Sequence, residues 1–260
     1  MIHRESIEAW PHMKKVIGGA IFDLGSTLIR FEGDWPILLQ ESLNLLCDQL
    51  QEDGLVFNRS EFALAFEGAR EAYDLQRQSD HVERSTALLV QDVLTTFWHK
   101  NIAPDVLERG LKCFYSVSET HWQPMPELHA VLDELRREGR MLGLISNAAD
   151  VDNVQRLIDK VEIRAYFDPI IISAAIGIRK PDPRPFKMVL DQWQVSPDAV
   201  VMIGDRLDAD ILGAQGVGMH QIWLKPAAEV STAMHLSPEK VAERLVDIPG
   251  LIREFDMKGQ

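Results

Sequence analysis

The chain has 260 residues, of which 46% are hydrophobic and 26% charged, a composition that suits one globular domain with an insertion or two small domains. Its formal charge of −13 argues against nucleic acid and anionic membrane surfaces as partners, because binding either of them requires a basic face. A small anionic substrate remains compatible with this charge, since a few local cations can reverse the field inside one cleft.

The two cysteines, Cys47 and Cys113, lie far apart in helical patterns and outside any CxxC or Cys/His cluster. We therefore expect buried free thiols, and neither a disulfide nor a zinc site. Residues 1–15 lack the apolar core of a signal peptide, and no apolar run approaches the ~20 residues that a membrane helix needs. These features predict a cytoplasmic protein, and no pattern indicates an oligomeric state.

Short, almost continuously apolar runs recur along the chain, each followed by a polar residue or a turn. Runs that are apolar on both faces are typical of parallel strands covered by helices on both sides. The predicted strands are VIGGAIF (16–22), MLGLI (141–145), PIII (169–172), VVMI (200–203) and HQIWL (220–224). Helical patterns lie between them, at 150–160 and from Pro185 onward. The alternation predicts an α/β fold with a doubly wound parallel sheet.

The stretch from about Phe31 to Gln123 breaks this alternation, because it contains several helical patterns and no strand-like run. Apolar residues recur there at helix spacing in four stripes. The stripes are Leu39, Leu43, Leu46, Leu50; Phe62, Phe66, Ala69, Tyr73; Leu89, Val93, Phe97; and Leu107, Leu111, Phe114. We expect an all-helical insertion at 31–123, an α/β domain at 16–30 and 124–260, and an N-terminal extension at 1–15. The run 238–255 predicts a closing helix and turn.

Polar residues follow the predicted strands, where ligands bind in open α/β sheets. The segments are DLGSTL (23–28), SN (146–147), GIRKPDP (177–183) and GDRLDAD (204–210). Each residue alone is commonly a helix cap, a turn residue or a surface charge. Together, however, Asp23, Ser146, Lys180 and Asp205 place two carboxylates, a hydroxyl and an ammonium on one rim. This arrangement predicts a single functional pocket.

The same segments resemble the haloacid dehalogenase-like superfamily of aspartate-nucleophile hydrolases. The matching pieces are FDLGSTL (22–28), LISN (144–147), IRKPDPRPF (178–186) and IGDRLDADILGAQGVG (203–218), in the order of that family. They span essentially the whole α/β domain, and the KPDP and GDxxxxD pieces are the most specific. The helical insertion resembles the mobile cap that closes over small substrates in this family.

The resemblance implies a Mg²⁺-dependent phosphatase of a small phosphorylated metabolite. It implies that Asp23 attacks phosphorus and forms an aspartyl phosphate, which water then hydrolyses. Asp23, the backbone carbonyl of Gly25 and Asp205 would hold Mg²⁺, an ion that prefers oxygen ligands. By the same resemblance, Ser146 and Asn147 would donate hydrogen bonds to the phosphoryl oxygens, and Lys180 would compensate the negative charge. Asp210, or less favourably Asp208, would support Lys180 or metal-bound water.

One position departs from the family pattern. Phosphatases of this superfamily carry a second aspartate, the general acid, two residues after the nucleophile, and this chain has Gly25 there. Positioned acid–base catalysis contributes about 10²–10⁴-fold in rate. The enzyme could therefore act on good leaving groups such as aryl or acyl phosphates, or Glu32 or Asp34 could replace the acid.

Two further alternatives remain open. A 2-haloacid dehalogenase uses the same nucleophile and needs no leaving-group proton, but members with that activity lack the Gly-Asp seen here at 204–205. A non-catalytic phosphate-binding module would keep the pocket without turnover. Arg179 and Arg206 flank the pocket segments, and Trp35 lies close to the expected hinge, so all three are candidates for lining the site.

Overall fold

The computed structural model describes residues 16–97, 102–226 and 236–258, so the expected extension at 1–15 lies outside the described residues. The strands are β1 (Gly19–Phe22), β2 (Ile29–Phe31), β3 (Trp122–Pro124), β4 (Met141–Ser146), β5 (Ile170–Ile172), β6 (Val200–Gly204), β7 (His220–Leu224) and β8 (Lys240–Ala242). The helices are α1 (Trp35–Glu52), α2 (Arg59–Asp80), α3 (Thr86–Phe97), α4 (Pro104–His121), α5 (Leu128–Arg137), α6 (Val151–Lys160), α7 (Ser173–Ile176), α8 (Pro183–Trp193), α9 (Leu212–Val217) and α10 (Ile248–Lys258).

Six strands form one parallel sheet in the order β5-β4-β1-β6-β7-β8. β1 lies centrally, with Phe22 paired to Leu144 on one side and to Ile203 on the other. All five predicted strands are present. The predicted fold class, a doubly wound parallel sheet with an inserted helical unit, is confirmed.

The two faces of the sheet pack against different layers because side chains alternate along a strand. Ala20 and Phe22 point into a cluster that includes Leu132 and Ile158, from α5 and α6. Ile21 points the other way, into a cluster built with Phe186 and its neighbours on α8. Burial on both faces explains why the strands appear in the sequence as continuous apolar runs.

The insertion has a hydrophobic core of its own, formed by the stripes of α1 to α4. Residues such as Leu46, Phe62, Phe66 and Phe114 are almost fully buried in it. Pro104 occupies the first turn of α4, a position where the missing amide hydrogen costs nothing. The helical stripes are therefore explained by packing within the insertion.

Two local expectations were wrong. The boundaries of the insertion contain a short antiparallel pair, β2 with β3, in the region where no strand was expected. The segment 238–255 begins with the edge strand β8, and only its last part enters α10. All three strands have only three residues, too few to produce a period in the sequence.

The loop between α2 and α3 ties the insertion to the sheet domain away from β2 and β3. The backbone amide of Glu83 donates to the carbonyl of Gly177 over 3.0 Å, and the amide of Thr86 donates to Ala149 over 2.9 Å. The Glu83 carboxylate is 1% exposed, accepts a 2.7 Å hydrogen bond from Ser173, and lies 3.5 Å from Arg179. A buried carboxylate of the insertion thus contacts the segment that leads into Lys180.

Both cysteines are free thiols. Cys47 is buried as expected, whereas Cys113 is only half-buried, with its sulfur 3.5 Å from Gln49 Oε1. Across the described ranges, every helix is too short or too polar to cross a membrane.

Candidate active site

The carboxyl ends of the parallel strands open onto a cavity of about 680 Å³. Asp23 follows β1, Ser146 ends β4, and Asp205 follows β6, so the sheet delivers all three to this edge. The amide of Asp23 donates to the carbonyl of Ile203 over 2.9 Å, which holds the loop after β1 beside β6. Asp23, Gly25, Ser146, Asn147, Lys180, Asp205 and Asp210 all line the cavity. The fold therefore brings these residues together at one edge of the sheet.

Lys180 is the only lysine among the described residues that line this cavity, and its side chain is 1% exposed. Its Nζ donates to Asp23 Oδ1 over 2.6 Å and to the carbonyl of Ile145 over 2.6 Å, and lies 2.7 Å from Asp210 Oδ1. Burial lowers the pKa of Lys180, but the carboxylates of Asp210 and Asp23 outweigh burial and raise it overall. The ammonium is thus charged and enclosed by oxygen atoms.

Three carboxylates surround this ammonium. Oxygen atoms of Asp23, Asp205 and Asp210 lie within 4.8 Å of one another. Burial raises the pKa of Asp23 to about 6, although the charge of Lys180 opposes the shift. Burial, followed by the charges of Asp23 and Asp210, raises the pKa of Asp205 to about 7. Negative charge is therefore in excess over positive charge at this point of the cavity.

This donor set fits a hard divalent cation. Mg²⁺ binds carboxylate and carbonyl oxygens, and a cation would favour the ionised forms of Asp23 and Asp205 against the burial, and then the repulsion between carboxylates, that raise their pKa values. Asp23 and Asp205 could supply carboxylates, and Gly25 lines the same cavity.

Asp210, and not Asp208, lies against Lys180. Asp210 sits on the π-helical turn after β6, is 1% exposed, and its Oδ2 accepts a 3.0 Å hydrogen bond from the amide of Arg206. Its side chain also covers Gly204, where an added Cβ would lie only 2.2 Å from Asp210 Oδ2. Asp208 is half-exposed and pairs with the Arg206 guanidinium. Glycine at 204 is therefore required for Asp210 to reach Lys180.

The side chain of Asn147 makes contacts that the sequence did not suggest. Its side-chain amide donates to the carbonyl of Lys180 over 2.9 Å, and its Oδ1 accepts from the amide of Lys180 over 2.8 Å. These two bonds hold the Lys180 backbone, so the Asn147 side chain positions the lysine. Ser146 is buried and lines the cavity.

The expected replacements for a general acid do not lie in the cavity. Neither Glu32 nor Asp34 is among its described lining residues, and Glu32 pairs with Arg30 at the surface. Trp35 is 47% exposed and also outside the lining, where it contacts the ring of Phe31.

Both arginine candidates do line the cavity, but each has a carboxylate partner. Arg179 lies beside Glu83, and Arg206 pairs with Asp208.

Several lining residues were missed by sequence reasoning. Arg77 comes from the last turn of α2, Trp122 from β3, Asn153 from α6 and Trp223 from β7. The indole nitrogen of Trp223 donates to the Asp205 carbonyl over 2.8 Å and so orients the loop after β6. None of these residues follows the carboxyl end of a predicted strand, which was the signal used, and only the packing of the insertion brings Arg77 and Trp122 to the cavity.

Comparisons with known proteins agree with this geometry. The family description "haloacid dehalogenase-like hydrolase" matches residues 17–218. A glyceraldehyde 3-phosphate phosphatase of Methanothermobacter thermautotrophicus is 25% identical over 240 residues, covering 92% of this chain and 100% of that protein. A phosphatase of the same name from Pyrococcus furiosus is 31% identical over 122 residues, which is 47% of this chain and 50% of that protein.

Solved structures show the same fold. A 2-haloacid dehalogenase from Pseudomonas syringae pv. Tomato DC3000 aligns with a TM-score of 0.65 at 24% identity, covering 92% of this chain and 100% of that one. At that identity the likeness concerns the architecture alone. The family match covers more than half of the chain and includes all four motif segments. The chain belongs to the haloacid dehalogenase-like hydrolases.

Proposed function

We propose that this hydrolase is a Mg²⁺-dependent phosphatase of a small phosphorylated metabolite, acting through an aspartyl phosphate on Asp23. The observation that carries the proposal is the buried contact of Asp23 with Lys180, beside the carboxylates of Asp205 and Asp210. A protein that only needed a stable fold would gain little from this cluster, since desolvating such charges costs several kcal/mol per ion.

Each residue of the site has a separate role in the proposed reaction. Asp23 Oδ attacks phosphorus in line, so an O–P bond forms while the ester P–O bond breaks and its electron pair leaves with the alcohol oxygen. Lys180 stays protonated and offsets the negative charge that Asp23 and the phosphoryl group bring together. Ser146 hydrogen-bonds a phosphoryl oxygen, and Asn147 and Asp210 keep Lys180 in place.

Mg²⁺, held by Asp23, Asp205 and the carbonyl of Gly25, would supply charge neutralisation of the phosphoryl oxygens. Water then attacks the phosphorus of the aspartyl phosphate. The Asp23 carboxylate leaves with the electrons of the O–P bond, and inorganic phosphate is released with the protons of the water shared between it and solvent. The cycle thereby returns Asp23 to its starting state.

The size of the cavity supports a small substrate, and two relatives bear the name glyceraldehyde 3-phosphate phosphatase. We propose that the unit at 31–123 acts as a cap on the domain formed by 16–30 and 124–260, because Arg77 and Trp122 of that unit reach the cavity wall. We propose a cytoplasmic location, supported by the two unpaired thiols.

The test is hydrolysis of para-nitrophenyl phosphate with Mg²⁺ and with EDTA, with 2-chloropropionate as a parallel substrate. Release of phosphate that EDTA abolishes, and that Asp23→Asn removes, is expected. Asp191→Asn, a matched change at an exposed carboxylate of α8, should retain the rate. Halide release in the presence of EDTA would instead establish a dehalogenase, and silence on both substrates would establish a non-catalytic module.

A further inference from the structure

Among the described residues that line the cavity, no acidic group is free to protonate a leaving oxygen. Within 16–97, 102–226 and 236–258, its acidic lining residues are Asp23, Asp205, Asp208 and Asp210, and its lining contains no glutamate, histidine, cysteine or tyrosine. Each of the four aspartates already has another partner or role. Asp23 is the proposed nucleophile, Asp205 the proposed metal ligand, Asp210 contacts Lys180, and Asp208 pairs with Arg206 over 2.5 Å.

The cationic groups do not provide the proton either. Lys180 Nζ has three oxygen atoms within 2.7 Å, from Asp23, Ile145 and Asp210. The guanidinium groups of Arg77, Arg179 and Arg206 hold their protons too tightly to act as acids near neutral pH. A leaving oxygen in this cavity must therefore depart with its electron pair and without a proton from the described lining.

An aromatic ring lies beside position 25. A Cβ built on Gly25 would be 3.5 Å from Cη2 of the Trp122 indole. That ring packs edge-on against Phe31, with 5.2 Å between centroids, and the Trp122 carbonyl accepts a hydrogen bond from Lys160 over 2.8 Å. The contact with Phe31 thus holds the indole, and the bond from Lys160 holds the Trp122 backbone, beside the loop that follows Asp23.

Trp122 packs against the core cluster that contains Ile29 from β2 and Val154 and Leu157 from α6, and these three apolar residues also line the cavity. A flat apolar group fits such a wall, because rings gain from stacking on an aromatic face in addition to burying their area. The described part of the site thus combines a surface for a planar group with a lining that holds no free acid.

We propose that this enzyme is selective for phosphates whose leaving oxygen is a weak base, as in aryl and acyl phosphates, and that Trp122 is the specificity residue for a planar leaving group. The proposal rests on the proposed phosphatase function. In the step concerned, the Asp23 O–P bond forms, the P–O bond to the leaving group breaks, and a phenolate or carboxylate departs with the electron pair. Both anions are much weaker bases than an alkoxide and can leave without a proton; a phenolate then takes up a proton from bulk water, while the carboxylate stays ionised at neutral pH.

The test is a leaving-group series measured as kcat/KM with Mg²⁺. The series contains phenyl phosphates with graded ring substituents including para-nitrophenyl phosphate, acetyl phosphate as a non-aromatic acyl phosphate, and glyceraldehyde 3-phosphate and glycerol 2-phosphate as alkyl phosphates. Since a positioned acid is worth about 10²–10⁴-fold, the aryl and acyl members should exceed the alkyl members by at least ~100-fold. The rate should also fall steeply along the aryl series as the phenol pKa rises.

Alkyl phosphates within tenfold of para-nitrophenyl phosphate would overturn this inference and leave the proposed phosphatase intact. Absence of EDTA-sensitive hydrolysis of para-nitrophenyl phosphate would overturn both. The two failures are thus distinguishable in one assay.

The role of Trp122 is tested by Trp122→Leu, with Trp35→Leu as the matched control from the same aromatic cluster outside the cavity lining. Trp122→Leu should lower the ratio of kcat/KM for phenyl phosphate over acetyl phosphate about tenfold, while Trp35→Leu keeps that ratio. An unchanged ratio in a folded Trp122→Leu enzyme, or an equal fall of the ratio in Trp35→Leu, would show that Trp122 does not determine specificity for a planar leaving group.

Discussion

The ammonium of Lys180 lies 2.6 Å from Asp23 Oδ1, although 157 residues separate the two in the chain. The contact exists because Asp23 follows β1 at the centre of the sheet, next to β4. Asn147, which follows β4, accepts a hydrogen bond from the Lys180 amide and donates one to the Lys180 carbonyl, so it fixes the backbone of the lysine. A buried cation is thereby delivered to the proposed nucleophile by main-chain geometry.

Lys180→Met should abolish turnover and destabilise the fold by about 3–5 kcal/mol, because it leaves Asp23 and Asp210 buried without their cation. Urea unfolding without added metal measures the loss. Lys187→Met, at an exposed position of α8, is the control and should unfold as the wild type does. Adding Asp210→Asn to Lys180→Met should recover part of the stability, and a strictly additive double variant would contradict the pairing.

Gly25→Asp should raise turnover of alkyl phosphates by about 10²-fold if the missing acid limits the rate. Gly25→Ala is the matched control, since its Cβ fits at 3.5 Å from Trp122 but carries no proton. Because the indole crowds the longer side chain, the gain should be larger in combination with Trp122→Leu. A Gly25→Asp enzyme that folds, binds Mg²⁺ and shows no gain on glyceraldehyde 3-phosphate would contradict the explanation that a missing general acid limits the turnover of alkyl phosphates.

Gly204→Ala should reduce activity by more than tenfold, because the new Cβ would meet Asp210 atoms at 2.2–2.6 Å and displace the carboxylate that supports Lys180. Gly68→Ala gives the contrast, since its Cβ meets nothing within 4 Å in the middle of α2. There the change should stabilise the protein by about 0.5–1 kcal/mol and leave the rate of para-nitrophenyl phosphate hydrolysis unaltered. Equal activity of the two variants would show that the activity does not depend on the position of the Asp210 carboxylate.

The carboxylate of Asp256 should make stability depend on pH in the acid range. Burial raises its pKa, but hydrogen bonds from Arg140, 2.6 Å away, and from the amide of Ile17 outweigh burial and lower the pKa overall. A lowered folded-state pKa means that the stabilisation is complete above the unfolded value of about 3.9 and is lost as pH falls through the folded value.

Asp256→Asn should therefore be less stable than the wild type at pH 6 and approach it below about pH 4, as measured by urea midpoints across this range. Asp191→Asn, at an exposed position, should follow the wild-type profile. A constant difference between Asp256→Asn and the wild type at every pH would show that packing, and not charge, links α10 to the start of β1.

The sequence by itself determined the parallel sheet, the helical insertion and the family. Strands buried on both faces appear as continuous apolar runs, and helices that pack on one face repeat with a period near 3.6, so residues close in sequence carry these signals. Because parallel strands point the same way, the order of runs and polar endings also predicted that Asp23, Ser146, Lys180 and Asp205 share one rim.

Only the tertiary structure decided which atoms meet there. The role of Asn147 as the holder of the Lys180 backbone, the choice of Asp210 over Asp208, and the indole of Trp122 beside Gly25 depend on contacts between segments remote in the chain. The strands β2, β3 and β8 are three residues long and exist through pairing with distant partners. Such contacts produce no periodic pattern in the sequence, because they join residues that become neighbours only after the chain has folded.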